Sequence, residues 1–413
     1  MKIPAKIHIM TFKRILIIVF ITLTAFSVSK ATGISGKFIS NLYGYQTSSA
    51  AGGEENHLKL YQGFLFNARP WDDRRLNFHV FLRGADDFSS EFDEQSRLRV
   101  YQLLIEGRRI KNILDYKFGR QFVTLAPVSF SLDGLRIGVK VGKLVKLTAY
   151  GGTEVPYSRE AVVREWKNSK VIGLRIGSKA VKNYRIGISY LRKERRKEIS
   201  WHIAGLDLYR RFGKIGSIFI RGDYNIEEGG IRKTVLRATF RPTSRLLLYS
   251  SHGFLAPRTL SNSYFRNFEL KEVNIFRFGG RYIFQSYPDV DFSIFYLGTG
   301  EDSSIRFNLS ISTEWAVIGY SIKGGHGGKQ NQFYGGLNYS LSGKLNLFAD
   351  INYSNYIIAE DLEERDISLS TALRVIYRPL RDIQTMVEIQ QMKNPEYKQD
   401  FRVLARFIYS FRL

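Results

Sequence analysis

The sequence predicts an all-β fold: a single closed, transmembrane, antiparallel up-and-down β-barrel of about 22 strands, after a cleaved signal peptide. Three observations carry this expectation. Apolar side chains recur at every second position through most of the chain. The connections between these stretches alternate between tight and long. The chain closes on an alternating aromatic strand, Phe401 to Leu413.

Composition narrows the field first. The 413 residues include 36 Gly, 9 Pro, 30 Phe and 24 Tyr, and no cysteine. A hydrophobic share of 44% is too high for a disordered chain. A mean hydropathy of −0.20 is too low for a bundle of apolar membrane helices. Without cysteine there is no disulfide, thiolate metal site, covalent haem or lipid-modified N-terminal cysteine.

The N-terminus reads as an address. The apolar run Ile15 to Ser29 follows Lys13 and Arg14 and precedes Ser29-Lys30-Ala31, a small-x-small cleavage pattern. The run is short for a membrane span of about 20 residues and suits a secretory h-region. Residues 1–31 are therefore expected to be a signal peptide, with Met10 an alternative start, and residues 32–413 one barrel domain. No plug, periplasmic repeat or C-terminal tail is expected.

Past residue 36 the period is two. Leu135, Ile137, Val139 and Val141 alternate with Gly134, Arg136, Gly138 and Lys140; Ile305, Phe307, Leu309 and Ile311 alternate with Arg306, Asn308 and Ser310. The longest such run is Ile367, Leu369, Thr371, Leu373, Val375 and Tyr377. A soluble sandwich alternates in the same way, so the connections decide. Tight links are expected at Gly142-Lys143, Gly213-Lys214, Tyr287-Pro288, Ser342-Gly343 and Pro379-Leu380. Long ones are expected at 48–56, 87–95, 153–168, 257–270, 356–365 and 393–399. Loop length sorted to one end marks an outer-membrane barrel, not a Greek-key sandwich. The strands before residue 110 alternate poorly, which keeps 18 and 20 strands as alternatives. The expected location is the outer membrane of a Gram-negative cell, with lipid and lipopolysaccharide as surroundings.

The final strand resembles the C-terminal signal read by the barrel-assembly machinery. Arg406 takes its polar position, and Phe407, Tyr409, Phe411 and Leu413 its apolar face. Ile408 and Leu413 depart from the usual glycine and terminal aromatic.

The face opposite the apolar one is strongly basic, in a chain with 62 Lys+Arg against 38 Asp+Glu and a net charge of +24. It carries Arg83, Lys117, Arg136, Lys140, Arg175, Arg185, Arg221, Arg237, Arg277, Arg281, Arg306, Arg374, Arg402 and Arg406. Its acids are expected to be few: Asp115, Asp223, Asp291, Asp350 and Glu388. In a wide wet tube such an excess concentrates anions, and these bases are expected to line the pore. Arg120 falls on the apolar parity and is expected near outer headgroups or beside a bulge. The run Arg192 to Lys197 is expected in an external loop facing lipopolysaccharide phosphates. Bases spread along strands at period two, in an exported chain, argue against nucleic acid.

Two loops are candidates to narrow the tube: 153–168, where Val162, Val163 and Trp166 would share a helix face, and 257–270, with Arg258, Tyr264, Phe265 and Arg266. A surface loop is the default for both.

Catalysis and cofactors are not expected. Ser251 and His252 are adjacent on a strand and point to opposite faces, and Ser250 has no orienting acid for His252. His326 in a glycine-rich tip offers a single ligand, and Asp361, Glu363, Glu364 and Asp366 match no calcium loop.

The pieces Gly119-Arg120-Gln121 and Asp133-Gly134-Leu135-Arg136 resemble a segment of alginate-export-like outer-membrane barrels. The resemblance implies a basic lumen that passes an anionic polymer. The function expected is a passive outer-membrane pore for anionic solutes or polymers. The alternative is a structural sheath whose lumen holds a partner protein, for example a periplasmic electron carrier.

Overall fold

The computed structural model describes residues 33–48, 54–70, 75–88, 97–124, 127–178, 183–257, 271–286, 288–357, 364–395 and 400–412. The segment 1–31 and Leu413 lie outside the described residues, as do 258–270. Among the described residues there is no helix; all regular structure is β.

The strands are β1 Gly33–Ser48, β2 Glu54–Arg69, β3 Leu76–Asp87, β4 Arg97–Ile110, β5 Leu114–Val123, β6 Phe130–Val141, β7 Val145–Glu154 and β8 Ser169–Ser178. They continue as β9 Tyr184–Arg195, β10 Glu198–Phe212, β11 Gly216–Asn225, β12 Gly230–Phe240, β13 Leu246–Leu255, β14 Val273–Tyr282 and β15 Asp289–Thr299. The series ends with β16 Asp302–Ser312, β17 Ala316–Gly325, β18 Gln330–Ser342, β19 Leu345–Tyr356, β20 Asp366–Leu380, β21 Ile383–Lys393 and β22 Asp400–Arg412. Each strand pairs antiparallel with its sequence neighbours, forming one 22-stranded sheet. The sheet closes where β1 meets β22, in continuous register from Ser35↔Arg412 to Gly44↔Val403.

Exposure tells the two faces apart. Phe118, Leu206 and Ile318 stand 57–59% exposed on the apolar parity, whereas Ser321, Asp223 and Asp400 on the other are at most 3% exposed. A closed sheet exposes its convex side, so the aliphatic and aromatic face is the exterior. Arg210 stacks over Tyr184 and Phe212 on that exterior, each with its guanidinium carbon 4.5 Å from the ring centre. This arrangement suits a side chain snorkelling at an interface.

Connections sort by end. On the end that carries the start of β1 and the finish of β22, the turns are short, such as 111–113, 142–144, 213–215 and 343–344. The opposite end holds the longest connections, including 155–168 and 256–272. Two expectations shift. Pro379 and Leu380 belong to the end of β20, and the turn is Arg381-Asp382; the register slips between Tyr377 and Leu380, where proline cannot donate to the ladder. The run Arg192 to Lys197 is mostly strand. β9 extends to Arg195, and only Arg196 and Lys197 form the turn, with φ of 50° and 68°. The reason is pairing: Lys193 and Arg195 both bond Glu154, and Arg192 bonds Glu194 at 2.8 Å, which carries the ladder to the rim.

The closing seam is tight at Gly36. A Cβ there would lie 2.4 Å from Phe411 Cζ and 2.7 Å from the Leu65 carbonyl oxygen. The ring can turn away, but the backbone oxygen cannot. Gly36→Val is therefore expected to lower barrel stability by about 2 kcal/mol, as overpacking does. The check is the urea midpoint of the loss of heat-modifiable electrophoretic mobility. A midpoint equal to wild type would show that the seam does not need glycine.

Candidate functional site

The polar face is built by the alternation itself, since a side chain beside an exposed apolar neighbour must point the other way. Arg136 follows Leu135, Arg185 precedes Ile186, Arg221 follows Ile220, and Arg306 lies between Ile305 and Phe307, each of these apolar neighbours being exposed. The fourteen bases named above share that face. Arg83 does so through the register Arg83↔Gly63 and through its contact with the Tyr61 ring at 4.5 Å.

Six of the fourteen are held by carboxylates. Lys117 bonds Glu106 at 3.0 Å, Arg175 grips both oxygens of Asp207 at 2.7 and 2.9 Å, and Arg221 bonds Asp223 at 3.0 Å. Arg281 bonds Asp291 at 2.7 Å, Arg402 bonds Asp400 at 2.6 Å, and Arg374 pairs with Glu388. The acid inventory is therefore larger than the five expected. Glu106, Glu154, Asp207 and Asp400 lie on the polar face as well, and so do the bases Lys146, Lys193 and Lys323. Glu106 was hidden among the poorly alternating early strands, and Asp207 is placed beside Arg175 by register, whereas Asp400 sits two residues before Arg402 on the same face of β22.

The other eight have no carboxylate partner among the described residues. Arg185 lies 5.6 Å from the Tyr209 ring centre, Arg277 lies 5.7 Å from that of Tyr249, and Arg406 donates to Asn41 at 2.6 Å. Lys140 reaches only the Asn112 carbonyl, at 3.4 Å. Arg136, Arg237 and Arg306 make neither an ion pair nor a side-chain hydrogen bond among the described residues.

Register brings four of these eight into one line. Arg185↔Tyr209↔Phe219↔Arg237↔Ser251↔Arg277↔Phe295↔Arg306↔Lys323 are cross-strand partners in sequence over β9 to β17. Arg185 is the second residue of β9 at the end with the termini, and Lys323 stands near the opposite end of β17. Hydrogen-bonded rows run across strands that tilt in a barrel, so this row climbs the wall. Beside its upper half, Asn308 donates to Ser293 at 3.1 Å and Gln332 to Asn352 at 3.1 Å, a neutral and hydrophilic surface.

Arg120 lies on the apolar parity as expected, but it is buried at 5% exposure rather than set among headgroups. Its Nε and Nη2 donate to the two oxygens of Asp133, each at 2.8 Å. Its guanidinium also reaches the carbonyls of Val100, Glu160 and Val162 at 3.1, 2.6 and 3.0 Å. The two short sequence pieces that carry the resemblance are thus one structural unit: Gly119↔Gly134↔Gly152 and Arg120↔Asp133 are aligned rows. Gly119 has φ of +111°, and a Cβ on it would meet the Leu103 oxygen at 2.3 Å.

The connection 155–168 forms no helix. Its backbone pairs with the wall, Val100 N–H donating to the Arg159 carbonyl at 2.7 Å. Val162, Val163 and Trp166 stay exposed. The element that leans over the polar face is instead the end of the β5–β6 connection, which sequence reading missed. A Cβ on Gly205 would lie 3.4 Å from Pro127 Cγ, and Val128 packs on a buried cluster of Val123, Phe130, Leu132, Tyr150, Val171 and Leu191. All six sit within strands β5 to β9, on the polar parity. Leu132 and Leu191 there are the signal that sequence reading could have used.

The assembly-signal residues occupy the seam: Phe407 and Tyr409 are exposed on the exterior, while Arg406 points to Asn41 on the other face. His252 shares the exterior parity with Ser250, in register with exposed Leu236. His326 Nδ1 lies 3.3 Å from Asp302. Among the described residues no group of three metal-ligating side chains converges; Asp361 and Glu363 lie outside them.

No protein-family model matches the chain, and no curated protein matches it. Among solved structures, it is similar to the translocation pore of the P pilus usher PapC, 7% identical over 92% of this chain and 99% of that one, TM-score 0.51. Acinetobacter baumannii OccAB1 is 10% identical over 93% and 99% of the two chains, TM-score 0.43. Pseudomonas aeruginosa OccK7 (OpdD) is 13% identical over 93% and 99%, TM-score 0.42. At these identities the likeness to PapC concerns the fold, a large closed β-barrel.

Removing Asp133 would leave the Arg120 charge buried with carbonyl partners alone. Asp133→Asn is expected to destabilise the barrel by about 3–5 kcal/mol, the cost of breaking a buried pair. Denaturant midpoints in detergent measure it. A loss below about 1 kcal/mol would place the pair among weak surface bridges.

Proposed function

We propose that this chain is an outer-membrane channel that passes anionic solutes passively, its polar face lining a water-filled lumen. The observation that carries the proposal is the climbing row of bases without carboxylate partners among the described residues: Arg185, Arg237, Arg277 and Arg306, ending at Lys323. Fixed charge of one sign on the wall of a wet tube raises the local concentration of counter-ions. The exterior supports the location, because a closed sheet with an aliphatic and aromatic outer face satisfies its backbone in hydrocarbon and leaves no edge. The C-terminal strand, with Arg406 opposite Phe407, Tyr409 and Phe411, supports recognition by the barrel-assembly machinery. An anionic polymer, as the alginate-export-like resemblance implies, falls within the same reading.

Planar-bilayer recording tests the proposal. The purified barrel is expected to give anion-preferring steps in a potassium chloride gradient. Arg277→Gln with Arg306→Gln should lower the chloride-to-potassium permeability ratio about twofold, as removal of part of a wall charge implies. A cation-preferring pore would overturn the proposal. A barrel silent alone that copurifies with a tightly held periplasmic protein would favour the sheath.

A further inference from the structure

A second basic feature stands apart from the climbing row. At the end bearing the chain termini, β4 to β7 enclose a cavity of about 480 Å³. Arg108, Arg109, Lys117, Arg136, Lys140 and Lys146 line it against only two acids, Glu106 and Asp115. Both acids are already engaged. Glu106 takes Arg108 at 2.8 Å, Lys117 at 3.0 Å and His79 at 3.1 Å. Asp115 takes Lys146 at 2.5 Å and the Arg109 backbone N–H at 2.9 Å. These bonds fix the walls and leave Arg109, Arg136 and Lys140 without a carboxylate among the described residues. The three come from two elements: Arg109 is the penultimate residue of β4, with φ of 52°, and Arg136 and Lys140 lie four residues apart on β6. Thr148 adds a hydroxyl to the lining.

We propose that this cavity is a binding site for inorganic phosphate at the periplasmic mouth, with Arg136 as its principal donor. The site rests on the reading that this face is wet and opens to the periplasm. A planar monocarboxylate would offset one of four excess positive charges and use one direction. A tetrahedral oxyanion carries up to two charges near neutral pH and presents oxygens to the end of β4, to β6 and to β7 together. Arginine supplies the fork for two of those oxygens, and lysine a point charge. No existing bond has to break for Arg136 to turn to it.

The test is calorimetric titration of inorganic phosphate into the full-length barrel in detergent, at fixed ionic strength, with chloride and acetate as competitors. Saturable binding is expected, with chloride and acetate unable to displace it at equal concentration. Arg136→Gln should weaken it about tenfold, the effect of losing one charged donor. Heat-modifiable mobility reports that the variant is folded. The proposal is overturned by the absence of saturable phosphate binding to the wild type. It is equally overturned by unchanged affinity in folded Arg136→Gln, or by displacement with chloride as readily as with phosphate. An anion-preferring pore with no phosphate binding sinks the site alone; a cation-preferring pore that still binds phosphate sinks the conduction reading alone.

Discussion

A sheet leaves backbone N–H and C=O groups unpaired only along its edges, and the seam between β1 and β22 is where this sheet does away with them. Twenty-one hairpin pairings form between neighbours in sequence, but the last joins residues at opposite ends of the chain, Ser35 to Arg412 and Gly44 to Val403. The side chains at the seam are fitted to this. Gly36 gives room to Phe411, and Arg406 reaches across to Asn41. Once the sheet is closed, each strand residue has only an outside and an inside, and period-two alternation assigns it to one or the other.

Closure also explains why so many carboxylates accompany the bases. A pair such as Arg175–Asp207 spans non-adjacent strands β8 and β10, bridging over Gly187, where a Cβ would strike Arg175 Nη2 at 2.2 Å and Asp207 at 2.7 Å. Such bridges tie the wall across its ladder. The bases left over are few enough to be placed individually. Strands lie about 4.8 Å apart, so Arg237, Arg277 and Arg306 on alternate strands are spaced about 10 Å. The screening length at physiological salt is about 8 Å. Neighbouring charges in the row therefore overlap in their ion atmospheres, and an anion near one already feels the next.

Most of the fold was legible because its rule is local. The strands around Leu135 to Val141, Ile305 to Ile311 and Ile367 to Tyr377 fall where alternation puts them, and the strand number follows from the sorted connections. Pro379 misled only by position, since a proline marks either a turn or the last residues before one. The site was less legible because its facts are relations between strands. Glu106 belongs with Lys117, and Asp207 with Arg175, through register alone. Arg120 shows the same limit: its parity was plain, yet its environment depends on Asp133 and on carbonyls of a loop some forty residues on. The inward lean of Pro127 and Val128 was not legible from connection length, because packing is decided by apolar residues such as Leu132 and Leu191 on the otherwise polar parity.

The tilt of the strands gives the row its meaning on the proposed reading. Were the same bases set at one depth, they would form a ring, and a ring concentrates its field at a single level where an anion would be held. Cross-strand partners in a tilted sheet lie at successively different heights, so the charges of Arg185, Arg237, Arg277, Arg306 and Lys323 are spread from one rim towards the other. Conduction needs binding favourable enough to enter and weak enough at each site to leave. A staircase of separate bases, with Tyr209, Phe219, Ser251 and Phe295 between them, meets both conditions with no moving part. The β5–β6 connection then acts on a different variable. Pro127 comes over Gly205 of β10, the strand that carries Tyr209 of the row, and Val128 packs on the apolar cluster, so apolar side chains take up volume there while the sign of the wall follows from its register.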